Sequence, residues 1–292
     1  MRHRKYVTER TSLTCFLVMG IFGLILPQLS VLADFGSGRK VVLSFDDGWK
    51  NQYDEALPIL RECGFKASFG VITDYIGLDR GTFWSRMNVN ELKELQGYGM
   101  DIACHTKTHS HMLNLTQDKL LDEIIASKNI LTRLGFNVKT FVYPYGEWNL
   151  TVIGYVEEAG YICARALKPE AYLLESPDPN ERYHIGSCPN TDQSLVEFEK
   201  ILSQSTENEA VVLTYHFISD EGPRETSTPV QNFYEQMTYL RENDFEVVLL
   251  PELFMSNEEP SWEISHFIMV LAIGGLAAIF MMILLYSSRA KI

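Results

Sequence analysis

The sequence contains no CxxC pair, no internal repeat and no low-complexity tract, and it is short of positive charge. Each absence excludes something. Without paired cysteines a thiolate zinc site is unsupported. Without repeats or biased tracts, neither an array nor a compositional linker organises the chain. Lys and Arg number 25 against 38 Asp and Glu, a formal net charge of −13. Between residues 34 and 263 the balance is 19 to 37, or −18. Such a surface repels nucleic acid and anionic lipid, which makes a nucleic-acid partner an unsuitable reading and a neutral or cationic partner a suitable one. The remainder is ordinary for a globular protein, with 46% hydrophobic and 12% aromatic residues, enough for a packed core.

Two apolar stretches stand outside that core. The first follows Arg2, Arg4, Lys5 and Arg10. It runs uncharged from Leu13 to Leu26, is broken by Pro27, and ends at the small residues before Asp34. That layout predicts a signal peptide over residues 1–33, with an uncleaved signal anchor as the alternative. The second, Phe267 to Tyr286, holds twenty residues without a charge and is followed by Arg289 and Lys291. At ~1.5 Å per residue it covers about 30 Å, a bilayer's hydrocarbon core. A membrane helix is expected over 264–286, with a cytoplasmic tail at 287–292 and residues 34–255 as an extracellular domain on a single-pass anchor. The tether, 256–263, reaches at most about 28 Å when extended, so the domain works close to its own membrane. Cys63, Cys104, Cys163 and Cys188 lie in the outer part, where two disulfides and four free thiols are both open readings.

Within 34–255, short β-rich runs alternate with helical patterns. Strands are expected at 40–45, 67–72, 100–104, 140–143, 161–164, 210–215 and 246–250. Helices are expected at 54–62, 90–98, 116–134, 151–159, 194–205 and 228–243, with Gly64, Gly135 and Gly160 as stops and Pro229 at the first helical position. Such alternation predicts an α/β fold with a parallel sheet, because parallel strands need crossover connections. Seven or eight such units most often close into a barrel, whose sites lie at the C-terminal strand ends.

The chemically capable residues fall at those ends. Asp46-Asp47-Gly48 follows the first strand, His105-Thr-Lys-Thr-His109 the third, and His216 the strand 210–215. Adjacent carboxylates repel, and one stays protonated unless a cation sits beside it. Asp47, His105 and His109 are candidate ligands of that cation, an N/N/O set with an open position as in catalytic zinc sites. Asp46 is the candidate base for the attacking water and His216 the candidate acid for a departing amine. Together these parts describe amide hydrolysis.

Ser44-Phe-Asp-Asp-Gly48, His105-Thr-Lys-Thr-His109-Ser110, Tyr143-Pro-Tyr-Gly146 with Asn149, and Leu213-Thr-Tyr-His216 occur in that order. In this set the chain resembles the polysaccharide deacetylases, the nodulation-protein B homology domain or carbohydrate esterase family four. The resemblance implies a distorted (β/α)7 barrel, a divalent metal, usually zinc, and an N-acetylated glycan substrate with N-acetylglucosamine-type units. It also implies that the backbone N–H of Tyr145 faces the oxyanion and that Leu213 packs beside the acetyl methyl group. Tyr145 and Trp148 are candidate sugar contacts, and Trp49 and Trp84 lie near the same loops. One position departs from the family pattern. Val142 stands where an Arg normally tunes the base, and Arg165, at the end of the neighbouring strand, is the candidate substitute. A catalytically inactive sugar-binding module on the same barrel is the competing reading, and a hydrolase of small amides a third. A binding module has no need of Asp46 beside Asp47.

Overall fold

The computed structural model describes residues 38–81, 83–168, 172–173, 180–190, 192–206 and 208–255. The segments read as signal peptide, tether, membrane helix and tail lie outside the described residues. No helix among the described residues is long and apolar enough to cross a membrane.

The chain order is β1 (Lys40–Phe45), α1 (Leu57–Cys63), β2 (Ser68–Val71), α2 (Val89–Gly97), β3 (Asp101–Cys104), α3 (Gln117–Leu121) and α4 (Ser127–Arg133). Then come β4 (Thr140–Val142), α5 (Leu150–Glu158), β5 (Cys163–Arg165), β6 (Tyr172–Leu173), β7 (Cys188–Pro189), α6 (Leu195–Leu202) and β8 (Glu209–Tyr215). The last elements are β9 (Phe217–Ile218), β10 (Ser227–Thr228), α7 (Val230–Glu242), β11 (Glu246–Val248) and α8 (Glu252–Met255).

The main sheet runs β5-β4-β3-β2-β1-β8-β6. Every pairing from β5 round to β8 is parallel. Beyond β5, Arg165 bridges Ile185 in parallel, and β7 pairs in parallel with β8. The sheet is thus a curled, half-barrel array of parallel strands with helices on its outer side. All the ends that carry candidate residues open to one side, because parallel strands share a direction.

Alternation along the strands divides the core in two. Val41, Leu43, Phe45, Val211, Leu213 and Tyr215 face the helices, meeting Leu60, Leu92, Ile124, Phe233 and Met237. Val42, Val212, Cys163, Ile185 and Leu250 form a smaller inner cluster, with Leu253 and Phe254 of α8 against it. The helices begin and stop for local reasons. Asn88 with Glu91, and Ser194 with Glu197, make reciprocal capping boxes at α2 and α6. Gly64 ends α1 in the left-handed region at φ 74°, where a residue with a Cβ is disfavoured.

Two expectations are corrected in detail, and one open alternative is resolved. The helices predicted at 54–62 and 116–134 are each interrupted by a π turn, at Gln52–Ala56 and Asp122–Ala126. Pro229 is the N-cap of α7 rather than its first helical residue, with ψ 142°. Of the two cysteine readings, the structure shows free thiols at Cys63, Cys104, Cys163 and Cys188.

Candidate active site

Asp46 and Asp47 leave β1 in different directions. Asp46 continues the inward face of the strand and is buried, while Asp47 turns through the left-handed region at φ 73° and is partly exposed. Thr106, His109 and Tyr145 adopt the same unfavourable conformation, at φ 64°, 63° and 57°. Each such non-glycine residue costs on the order of 1–3 kcal/mol and persists where its surroundings overdetermine it.

On the Asp47 side, one ligand atom each from Asp47, His105 and His109 lies within 4.8 Å of the others. Asp47 Oδ1 is 3.7 Å from His105 Nε2 and 3.5 Å from His109 Nε2. Ligand atoms around a tetrahedral ion at ~2.0–2.1 Å stand about 3.3–3.4 Å apart, so this spacing fits a shared cation. The protonation pattern fits as well. His105 Nδ1 lies 2.9 Å from the Val142 carbonyl, which only accepts, so Nδ1 carries the proton and Nε2 presents its lone pair to Asp47. Burial lowers the pKa of both imidazoles, His109 to about 4 with the help of neighbouring His105, against the pull of Asp47. Both rings are therefore neutral near pH 7. Lone pairs converging on a carboxylate oxygen are stabilised by a cation between them.

This side is braced from behind. Trp49 Nε1 donates to Asp47 Oδ2 at 3.0 Å, and Arg86 Nη1 donates to the Asp47 carbonyl at 2.5 Å while lying over the Trp49 ring. Gly70 on β2 leaves the room that His105 and Val142 occupy. A Cβ there would stand 3.5 Å from both side chains and 3.3 Å from the Phe45 carbonyl. Tyr145 lies 4.7 Å ring to ring from His109 and stacks on His111 at 3.8 Å. Its turn needs Gly146, where a Cβ would meet Leu167 at 2.6 Å.

On the Asp46 side, Arg165 is fully buried and its Nη2 reaches both carboxylate oxygens, at 2.5 and 2.6 Å. Its Nη1 donates to the hydroxyls of Ser187 and Thr214 at 2.9 and 3.1 Å. Burial alone raises the Asp46 carboxyl, but Arg165, His105 and His216 outweigh it and hold the pKa at about 2, below the ordinary 3.8. His216 Nε2 lies 3.7 Å from Asp46 Oδ2. Arg165 is the cross-strand partner of Val142 in the β4–β5 register. The guanidinium missing at Val142 is thus supplied at the same height by the adjacent strand.

The structure brings together Asp46, Asp47, His105, His109, His216, Arg165 and the Tyr145 ring. Trp148 and Trp84 are exposed rather than core residues, and Trp148 stacks on His184 at 4.5 Å. Leu213 is a correction. It is fully buried in the helix-facing core beside its β1 partner Leu43, on the face of β8 opposite Thr214 and the Asp46 site. A two-residue period puts Thr214, not Leu213, on the face of His216, and that signal was readable in the sequence.

Two residues escaped sequence reasoning. Gln52, fully buried, donates from Nε2 to the carbonyls of Asp46 at 2.6 Å and His216 at 2.7 Å, clamping the ends of β1 and β8. Glu123, also buried, accepts from the backbone N–H groups of Lys107 and Thr108 at 2.8 and 2.9 Å. Both come from the π turns, which are frequent at functional sites. Gln52 lies just ahead of the helix expected at 54–62, and Glu123 inside the one expected at 116–134, where a polar residue reads as solvated surface, so nothing in the sequence marked them.

Residues 35–164 match the polysaccharide deacetylase family. The chain is 28% identical over 136 residues to YxkH of Bacillus subtilis, a protein named for that family, covering 46% of this chain and 47% of that one. It is 25% identical over 155 residues to the poly-beta-1,6-N-acetyl-D-glucosamine N-deacetylase of Staphylococcus aureus, covering 50% of this chain and 52% of the relative. The chain thus spans about half the length of the curated relatives it matches. Among solved structures, the Xyl-CE4 domain of a multidomain xylanase from the hindgut metagenome of Trinervitermes trinervoides superposes with a TM-score of 0.52 at 20% identity. That match covers 75% of this chain and 91% of the other. The peptidoglycan deacetylase PdaC of Bacillus subtilis gives 0.51 at 16% identity, covering 76% and 94%. At such identities the likeness is one of fold. The stretch that matches the polysaccharide deacetylase family, residues 35–164, is the one that carries Asp46, Asp47, His105, His109 and Tyr145.

Proposed function

We propose that this protein is a metal-dependent N-deacetylase that removes acetyl groups from N-acetylglucosamine-type units of a cell-surface polysaccharide. The observation that carries the reading is the meeting of Asp47, His105 and His109 beside an ionised Asp46. The family match over residues 35–164 supports the reaction class, and the Staphylococcus aureus relative, by its name, supports the sugar type.

Asp47, His105 and His109 would hold a divalent ion, with zinc the best fit to an N/N/O set. Such an ion supplies Lewis acidity toward the acetyl carbonyl and toward water. Asp46 accepts the proton of the attacking water. Its pKa of about 2 makes it a weak base but keeps it ionised at any working pH, and Arg165 fixes its orientation. His216, on the other side of Asp46, delivers a proton to the departing amine. The Tyr145 N–H is the candidate oxyanion donor, and the Tyr145 and Trp148 rings are candidate sugar contacts. The acidic surface suits a neutral substrate that becomes cationic as acetyl groups leave.

We read the curled sheet as a distorted (β/α)7 barrel in which the short segment around Ile185 to Pro189 stands in for one stave. The apolar stretch 264–286 is read as the anchor that keeps 34–255 outside the cell. Protease digestion of intact cells tests the orientation, and survival of the domain would refute it. The activity is tested by acetate release from N-acetylglucosamine oligomers, lost on chelation and restored by zinc or cobalt. Asp46→Asn is expected to lower turnover by about 10²–10⁴-fold. Ligand binding without acetate release would favour the sugar-binding module instead.

A further inference from the structure

The loop that carries both histidines bends through the left-handed region twice, at Thr106 and at His109. A loop so bent keeps its shape only if its backbone is held on both sides. On one side the 3₁₀ turn Thr73–Tyr75 does this. The Thr73 N–H donates to the Thr106 carbonyl at 3.2 Å, and the Asp74 N–H to the Lys107 carbonyl at 3.0 Å. On the other side a single side chain does it. The Glu123 carboxylate accepts from the Lys107 N–H, the Thr108 N–H and the Thr108 hydroxyl.

Glu123 reaches that position because the helix widens there. The π turn Asp122–Ala126 separates α3 from α4, and the Ser127 hydroxyl donates to the Glu123 carbonyl at 2.5 Å. The three hydrogen bonds from the loop end on one buried carboxyl group, and carboxylate oxygens are strong acceptors for backbone N–H groups. His109 follows directly, its own N–H donating to the Thr106 hydroxyl at 3.1 Å. The same loop thus ends in a proposed ligand and is gripped at its middle by Glu123.

We propose that Glu123 is a positioning residue that presets His109 for the metal ion, so that the three-ligand arrangement exists before the ion arrives. The inference rests on the metal reading of the site. Its effect is exerted through the loop backbone, since the carboxylate's hydrogen bonds go to Lys107 and Thr108.

The test is zinc affinity of the full chain, read by competition with a chelating indicator, together with the visible d–d absorption of the cobalt(II) form. Glu123→Gln keeps the side chain's size but turns an NH₂ toward the loop's donors. It is expected to weaken zinc binding about 10–100-fold and to move the cobalt spectrum toward that of His109→Ala. Thr140→Val is the control. It removes a buried hydrogen bond to Asp101, away from the loop, and should lower the melting temperature while leaving zinc affinity within about twofold. Wild-type affinity in Glu123→Gln overturns the inference. So does an equal loss of affinity in Thr140→Val, which would make the effect one of general stability. If the wild-type chain itself takes up no zinc, the metal reading has failed, and the positioning role falls with it.

Discussion

Asp46 and Asp47 are chemically identical neighbours, and the fold gives them opposite surroundings. Asp46 is backed by a sealed side, where Arg165, Thr214 and Ser187 are all fully buried, with the partly exposed His216 beside it. Asp47 belongs to an open side, with His109 and Tyr145 reachable from solvent. A half-turn of backbone at φ 73° separates the two. The difference teaches that one dipeptide serves two physical purposes. The sealed side holds a charge at the cost of stability if its partner is lost, and the open side gathers lone pairs in the spacing that the proposed cation requires.

Removing Arg165 breaks this contrast most severely. Arg165→Met leaves Asp46 buried without its counter-charge and is expected to destabilise the fold by about 3–5 kcal/mol in urea unfolding. Zinc affinity should change by no more than a few-fold. A loss of stability below about 1 kcal/mol would show that water replaces the guanidinium and that the side is not sealed.

Trp49→Phe probes the opposite side. It deletes the hydrogen bond to Asp47 Oδ2 while keeping the ring, and should weaken zinc binding about 10–100-fold with little change in unfolding. An unfolding midpoint that drops while affinity holds would reverse the assignment of the two sides.

Acid separates the aspartates next. The Asp46 carboxyl sits at about 2 in the folded chain against an ordinary 3.8, so the native state gives up this proton more readily than the unfolded one. The resulting stability, on the order of 2 kcal/mol, is fully present above about pH 4 and is lost as pH falls through about 2. In Asp46→Asn this contribution should vanish, flattening the acid limb between pH 4 and 2. An unchanged limb would assign the acid sensitivity to other carboxylates.

The smallest effect belongs at the rim. Trp148→Ala removes an exposed ring stacked on His184 and should raise KM for an acetylated oligomer a few-fold with kcat unchanged. A fall in kcat would place Trp148 closer to the reacting atoms than its surface position suggests.

Much of the parallel sheet was legible because β1 and β8 are buried on both faces, and a strand of that kind reads as a continuous apolar run. The candidate triad of Asp47, His105 and His109 was legible because its members follow strand ends at fixed spacing. The β6, β7, β9 and β10 pairs were not, since two residues carry no period. Leu213 lies on the helix-facing side of β8 because side chains alternate along a strand, whatever motif the residue belongs to.

Gln52 and Glu123 illustrate the deeper limit. Hydrophobic periodicity and chemistry-bearing residue types are local properties, so the residues themselves determined the strand positions, the helix stops and the ligand candidates. Which buried polar groups meet is a long-range property. The pairing of Asp46 with Arg165, 119 positions away, and the clamp of Gln52 on His216, 164 positions away, exist only after the sheet curls. Tertiary structure alone decided those contacts, because a buried charge or carbonyl is satisfied by whatever the fold delivers to it, at any distance along the chain.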